Sequence, residues 1–283
     1  MSDAPKVSII IPTYKRQTLL PRAIRSALCQ TYENIEVLVC DDEKSAETKA
    51  IVESIAKSDD RVKYIENYRS KGACGARNSG IFLAKGEFIA LFDDDDEILK
   101  SAIESFLQLD VLQYAFAYAW HNRIYENGKT KRSNNPPNID FAKLAKEGQN
   151  IANSMLFASK KNLMEIGGFD ETLAACHDYD LCLRLTKRFG AAALIEKTLF
   201  NYYSARGYER ISNNADRKYR GMRQIALKHA RDFSKRDRAK YLYKVRKYLY
   251  GQRLGRAFAW LPLKEALREL KYSIKYKIKS FFL

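Results

Sequence analysis

Residues 72–97 read GACGARNSGIFLAKGEFIALFDDDDE, and the succession of chemical character along them decides the fold. A glycine-containing loop opens a helical pattern over Ala76–Ala84. The apolar run FIALF at 88–92 follows as a strand, and Asp93 to Glu97 follow the strand at once. A short apolar run bounded by polar residues is the signature of a buried strand. The same alternation extends toward the N-terminus. Val62–Ile65, Ile35–Cys40 (IEVLVC) and Val7–Ile11 (VSIII) read as strands, Ala46–Ala56 and Leu19–Gln30 as the helices between them, and Leu99–Leu109 as a helix after the acidic run. Four such units predict an α/β fold, a mostly parallel sheet flanked by helices on both faces. Right-handed crossovers then bring the strand C-termini, and whatever binds there, to one edge.

After residue 110 the pattern changes. Tyr114–Trp120 and Ile124–Tyr125 read as strands with Asn127-Gly128 as a turn signal, and SNNPPN at 133–138 is a polar loop. Met155–Ala158 and Ala191–Ile195 are short strands, and Tyr179–Phe189 is helical. From Arg217 only helical periodicity remains, and no internal repeat is present.

The chain has 283 residues, 46% hydrophobic and 30% charged, which excludes wholesale disorder. It has no apolar run of about 18 residues and no signal-peptide pattern, so neither a secreted nor an integral membrane protein is expected. The five cysteines (Cys29, Cys40, Cys74, Cys176, Cys182) lack metal-knuckle spacing and read as reduced thiols of a cytoplasmic protein. The net charge of +16 is concentrated at the end. Residues 217–283 hold 21 Lys and Arg against Asp232, Asp237, Glu265 and Glu269, whereas the first 216 residues carry 29 basic and 30 acidic side chains. The expected organisation is a catalytic domain over 1–216 and a basic helical extension over 217–283.

Three strands end in polar residues: Pro12-Thr13-Tyr14, Asp41-Asp42 and Asp93-Asp94-Asp95-Asp96-Glu97. Contiguous carboxylates at a strand end repel one another, a cost offset by a bound cation or raised pKa values. Hard oxygen ligands favour Mg²⁺ or Mn²⁺ over zinc, and such an ion suits a diphosphate partner. A solvated acidic loop capping the next helix is the simpler alternative. The loop from Lys71 to Gly80 could cradle phosphate with Arg77 adding charge, or could be only a helix start with a packed Gly80.

Together these segments resemble the family 2 inverting glycosyltransferases of the GT-A fold, which use nucleotide sugars. VSIIIPTYKR at 7–16 resembles the family's opening strand and VLVCDDEKS at 37–45 its second. GACGARNSGIFLAKGEFIALFDDDDE combines its Arg-Asn helix start, Lys-Gly-Glu approach and acidic motif. GGFDETL at 167–173 and HDYDLCLRL at 177–185 resemble its acceptor-side loop and the helix bearing the catalytic base. The resemblance covers residues 6–205, in the family's order.

The resemblance implies that Pro12, Thr13, Tyr14, Asp42, Arg77 and Asp95 bind the donor nucleotide, with Asp42 at the base, Asp41 a lesser contributor and Arg77 near the diphosphate. Asp93, Asp95 and Asp96 hold Mn²⁺ or Mg²⁺, and Asp178 is the general base. His177 stands where many members have Glu. Asp180 diverges from Asp178 by about 200° on a helix and reads as a structural partner. Trp120 and His121 either line the acceptor site or are a core Trp and a solvated His.

Leu263, Leu267, Leu270, Ile274, Ile278 and Phe281 share one helical face, with Lys264, Arg268, Lys271, Lys275 and Lys279 around it. That is an amphipathic cationic helix suited to an anionic membrane surface. A helix packed on the catalytic domain is the alternative, and nucleic acid is not an expected partner. The expected function is metal-dependent, inverting transfer from a nucleotide sugar, UDP-linked by family habit, to a glycan or lipid-linked glycan acceptor in cell-surface polysaccharide synthesis. The site would be cytoplasmic, at the inner face of the membrane. The competing class is a non-catalytic nucleotide- or glycan-binding module tethered to membrane or polyanion. A nucleotidyltransferase is disfavoured because PTYKRQT lacks its Gly-rich signature.

Overall fold

A computed structural model describes residues 4–148, 155–204, 215–239 and 241. The chain divides into two compact units. One comprises Met1–Leu144, Gln149–Thr172 and His177–Glu209; the other comprises Ala145–Gly148, Leu173–Cys176 and Arg210–Leu283.

In the first unit, β1 (Val7–Thr13), β2 (Ile35–Asp41), β3 (Val62–Glu66) and β4 (Phe88–Phe92) pair in parallel in the order β3-β2-β1-β4. Between them run α1 (Leu20–Leu28), α2 (Ala46–Ala56) and α3 (Ala73–Leu83). Side chains of a strand alternate between faces. Val7, Ile9, Ile11, Val37 and Val39 therefore bury with Leu20, Ala23, Ile24 and Ala27 of α1, spaced as one helical stripe. Ile10 and Cys40 face α3, which comes so close that a Cβ on Gly80 would lie 2.5 Å from Ile10 and 2.7 Å from the Cys40 sulfur. Helices thus cover both faces, and β1, β2 and β4 release their chains toward one edge.

The sheet then continues in a different manner. β4 is followed by β5 (Glu97–Ile98), α4 (Ala102–Leu107), β6 (Ala117–Tyr125), β7 (Thr130–Arg132), α5 (Phe141–Glu147), β8 (Met155–Ser159), α6 (Lys160–Glu165), α7 (His177–Phe189) and β9 (Ala193–Ser204). β8 runs antiparallel to β4 and to β6, β6 runs parallel to β9, and β5 returns antiparallel to β9 at the far edge. Among the described residues the expected α/β sheet with flanking helices is present, and it is mixed, because every strand that enters beyond β4 brings an antiparallel pairing. Where two strands were expected between 114 and 125 there is one, since His121, Asn122 and Arg123 interrupt the apolar pattern but not the pairing. β9 runs nine residues past Ile195 for the same reason: Glu196 and Lys197 sit at an irregularity in the register with β6.

In the second unit, α8 (Ala215–Lys228) buries Met222, Ile225 and Ala226. Gly221 meets the Ala175 backbone, and the Gln224 side chain accepts from the Ala174 amide at 2.8 Å. The amphipathic pattern over 263–281 lies outside the described residues.

Candidate active site

Four carboxylates leave β4 together; two arginines meet their side chains and a third meets the backbone between them. Arg77, in the second turn of α3, donates to Asp93 Oδ1 at 2.6 Å. Arg16 lies 2.5 Å from Asp95 Oδ2 and 3.5 Å from Asp94 Oδ1. Arg22 donates to the Asp95 carbonyl at 2.6 Å and stacks 3.8 Å over the Tyr203 ring. Asp94 is buried, accepts from Thr13 Oγ1 at 2.7 Å, and is pushed up to about 7 by burial, against the pull of Arg16 and Thr13. Burial also raises Asp93, with Arg77 opposing. Asp96 is fully buried, and its Oδ1 accepts from the Tyr203 amide at 3.0 Å. One oxygen from each of Asp93, Asp95 and Asp96 lies within 4.8 Å of the others. Opposite ligands of an octahedral Mg²⁺ are about 4.2 Å apart, so the set is close to what one hard cation gathers.

At the end of β2 the two aspartates diverge. Asp41 is fully buried and accepts from the amides of Glu43 and Ser45 and from Tyr64 Oη, which fixes the approach to α2. Asp42 Oδ1 accepts from Asn67 Nδ2 and from the Gly72 amide, both at 2.7 Å. Gly72 has φ of 120°, a conformation side chains resist, and it turns the 67–72 loop onto Asp42. Its amide is thereby committed to Asp42 rather than to a phosphate cradle.

The loop at 167–172 is tied to α3 through Asn78. Asn78 Oδ1 accepts from the Phe169 amide at 2.8 Å, and its Nδ2 donates to the Phe169 carbonyl at 2.9 Å and to Glu171 Oε1 at 2.7 Å. Glu171 also accepts from Arg69 and from the Ser70 amide. Burial pushes Glu171 up, but these donors outweigh it and bring it down to about 2. Phe169 lies under the Arg77 guanidinium, 5.4 Å from it. Asp178, half-buried in the first turn of α7, acts electrostatically on Arg77, Asp93 and Cys74, so it stands near the same group. Burial pushes the Cys74 thiol up to about 12.

The strand ends thus bring Thr13, Arg77, Asp93, Asp95 and Asp96 together. Pro12 is buried in β1 beyond the last pairing with β4, where no amide is required of it. Tyr14 is 43% exposed between Lys15 and Lys71, whose ammonium groups lie 5.4 and 5.9 Å from its ring centroid. Asp180 is fully buried in an ion pair with Arg184 at 2.7 Å, a structural partner as expected. His121 is not solvated. It is buried, stacked on Phe200, and lowered to about 4 by burial with Arg123 nearby, so it is neutral. Sequence reading missed Arg16, Arg22, Asn78 and Tyr203. Arg16 and Asn78 stand inside the quoted motifs; Arg22 and Tyr203 leave no local signal.

Residues 8–167 match the family Glycosyl transferase family 2. The chain belongs to that family. A putative colanic acid biosynthesis glycosyl transferase, WcaA, of Escherichia coli is 30% identical over 87% of this chain and 88% of its own length. A Campylobacter jejuni GalNAc(5)-diNAcBac-PP-undecaprenol beta-1,3-glucosyltransferase is 34% identical over 59% of this family 2 chain. The match covers 55% of that protein, so the chain spans about half its length. The crystal structure of Staphylococcus aureus TarS 1-349 with UDP-GlcNAc superposes with a TM-score of 0.69 at 19% identity. It covers 92% of this chain and 77% of that one, which shows a shared fold.

Proposed function

We propose that this family 2 chain transfers a sugar, with inversion, from a nucleotide-sugar donor to a glycan or lipid-linked glycan acceptor. The observation that carries the reading is the gathering of Asp93, Asp95 and Asp96 with Arg77 at the end of β4, within electrostatic reach of Asp178. A donor linked to UDP and an undecaprenol-linked acceptor are supported by the relatives, whose names state those substrates.

Each residue has a role its chemistry allows. Tyr14, Pro12, Thr13 and Asp42 border the nucleoside, with Asp42 keeping Oδ2 for the base. Asp93, Asp95 and Asp96 would hold Mn²⁺ or Mg²⁺, which when bound neutralises charge growing on the leaving diphosphate. Arg77 supplies a further fixed positive charge on that side. A sugar hydroxyl is a poor nucleophile at neutral pH, so a positioned carboxylate must take its proton. Asp178 fills that role, and attack from the face opposite the diphosphate inverts the anomeric carbon without a protein nucleophile.

The basic C-terminal region, 217–283, is proposed to adsorb to an anionic membrane face, placing the site at the inner leaflet beside a lipid-linked acceptor. Arg217, Arg220, Arg223, Lys228 and Arg231 are exposed around one side of α8 and its end, with Leu227 65% exposed among them. Among the described residues no helix is long and apolar enough to cross a membrane.

A panel of nucleotide sugars with Mn²⁺, scored for thermal stabilisation and for transfer to undecaprenyl-diphosphate glycans, tests the reading. One donor should stabilise the protein only with metal present and should lose its sugar to a lipid-linked acceptor. Stabilisation by a donor with no transfer to any acceptor would leave the binding-module reading in its place.

A further inference from the structure

The acidic cluster already contains a cation of its own, and its placement is built into the backbone. β1 ends at Thr13, and Lys15 takes a left-handed turn with φ of 54°. The Arg16 carbonyl then accepts from the amides of Leu19 and Leu20, so the residue is fixed in the approach to α1. Its guanidinium is carried inward, with the side chain 15% exposed, onto Asp95 Oδ2 at 2.5 Å and beside Asp94 Oδ1 at 3.5 Å.

Asp95 is also one of the three residues whose oxygens can meet on a single cation. The other arginines stand differently toward it. Arg22 donates to the backbone carbonyl of Asp95, and Arg77 takes Asp93 from α3. Arg16 and a metal ion therefore compete for the Asp95 carboxylate, and their like charges repel. Arg16 also sits in the segment that leaves β1 after Pro12 and Thr13 and begins with Tyr14, the side on which the nucleotide is expected. A guanidinium released there has a diphosphate as its natural new partner, since its planar fork matches phosphate oxygens.

We infer that Arg16 is an internal counter-cation that holds Asp95 before metal binds and moves to the donor diphosphate when it does, coupling metal and nucleotide binding. The inference rests on the metal reading proposed above. It makes the metal weak alone and strong with nucleotide, so the site fills as a unit.

Mn²⁺ titration followed by electron paramagnetic resonance, at about pH 8 and with or without UDP, tests this on the full chain. Arg16→Gln should bind Mn²⁺ alone at least about tenfold more tightly than wild type, and UDP should improve that binding by correspondingly less. Arg16→Lys, which keeps the charge and loses the fork, should shift both quantities in the same direction by a smaller factor. It serves as the deciding variant if Arg16→Gln does not fold. Mn²⁺ affinity that is unchanged or weaker in the folded variants, with the UDP effect intact, overturns the coupling role and leaves the metal reading standing. Wild type that binds no Mn²⁺ even with UDP overturns both.

Discussion

Replacing Asn78 by alanine should damage this fold out of proportion to the atoms removed. The side chain is buried and makes three hydrogen bonds: one from the Phe169 amide, one to the Phe169 carbonyl, and one to Glu171. Phe169 is itself buried, so its amide and carbonyl would lose their partner where water has little access. A buried polar group left unsatisfied costs about 1–3 kcal/mol. The amide falls in that range and the carbonyl below it, while Glu171 keeps Arg69 and Ser70. The sum is about 3 kcal/mol. For a unit of this size that corresponds to a melting temperature lower by about 6–12 °C. Differential scanning calorimetry measures it directly. Asn78→Asp separates the hydrogen bonds from the packing. The carboxylate can still accept from the Phe169 amide, but it faces the Phe169 carbonyl and Glu171. Its folded pKa is therefore raised above the unfolded value, and the deficit against wild type should be largest at pH 8 and shrink as pH falls toward 5. A shift under about 2 °C for Asn78→Ala, or a pH-independent deficit for Asn78→Asp, would refute the clamp.

Asp178→Asn keeps shape and removes the proton acceptor, so turnover should fall by about 10²–10⁴ while nucleotide affinity stays near wild type; a loss under tenfold would move the base elsewhere. His177→Ala should be milder in the same assay. Asp95→Ala and, separately, Asp96→Ala should abolish metal-dependent stabilisation by the donor, and retention of it in both would remove the carboxylates from the metal site. Truncation after Gly251 removes eight Lys and Arg against Glu265 and Glu269, and should release the protein from liposomes containing anionic lipid while sparing donor binding. Each basic residue near such a surface contributes about 1 kcal/mol, so wild-type co-sedimentation should weaken steeply with salt. Binding that ignores lipid charge would refute the adsorption.

What the sequence disclosed and what it hid follow from the range of the interactions. β1, β2 and β4 were legible because both of their faces are buried, which requires unbroken apolar runs such as VSIII and FIALF. β9 was half hidden, because Glu196, Lys197 and Asn201 carry polar side chains along a strand held by its pairing with β6. The acidic run was conspicuous for the opposite reason: its charges are contiguous, so a local reading sees all of them. Their neutralisation is not local. Arg16 meets Asp95 across 79 positions, Arg22 reaches its carbonyl across 73, and the Tyr203 amide reaches Asp96 across 107. Reading the run alone overstates the need for a metal, because it counts four like charges and no partners. In the folded chain burial raises Asp93 and Asp94 toward neutrality, and Arg16 and Arg77 offset two of the charges. Arg77 pairs with Asp93, Arg16 with Asp95, and Asp96 accepts from the Tyr203 amide, so the partners of the run come from α3, the approach to α1 and β9, none of them visible in the run itself.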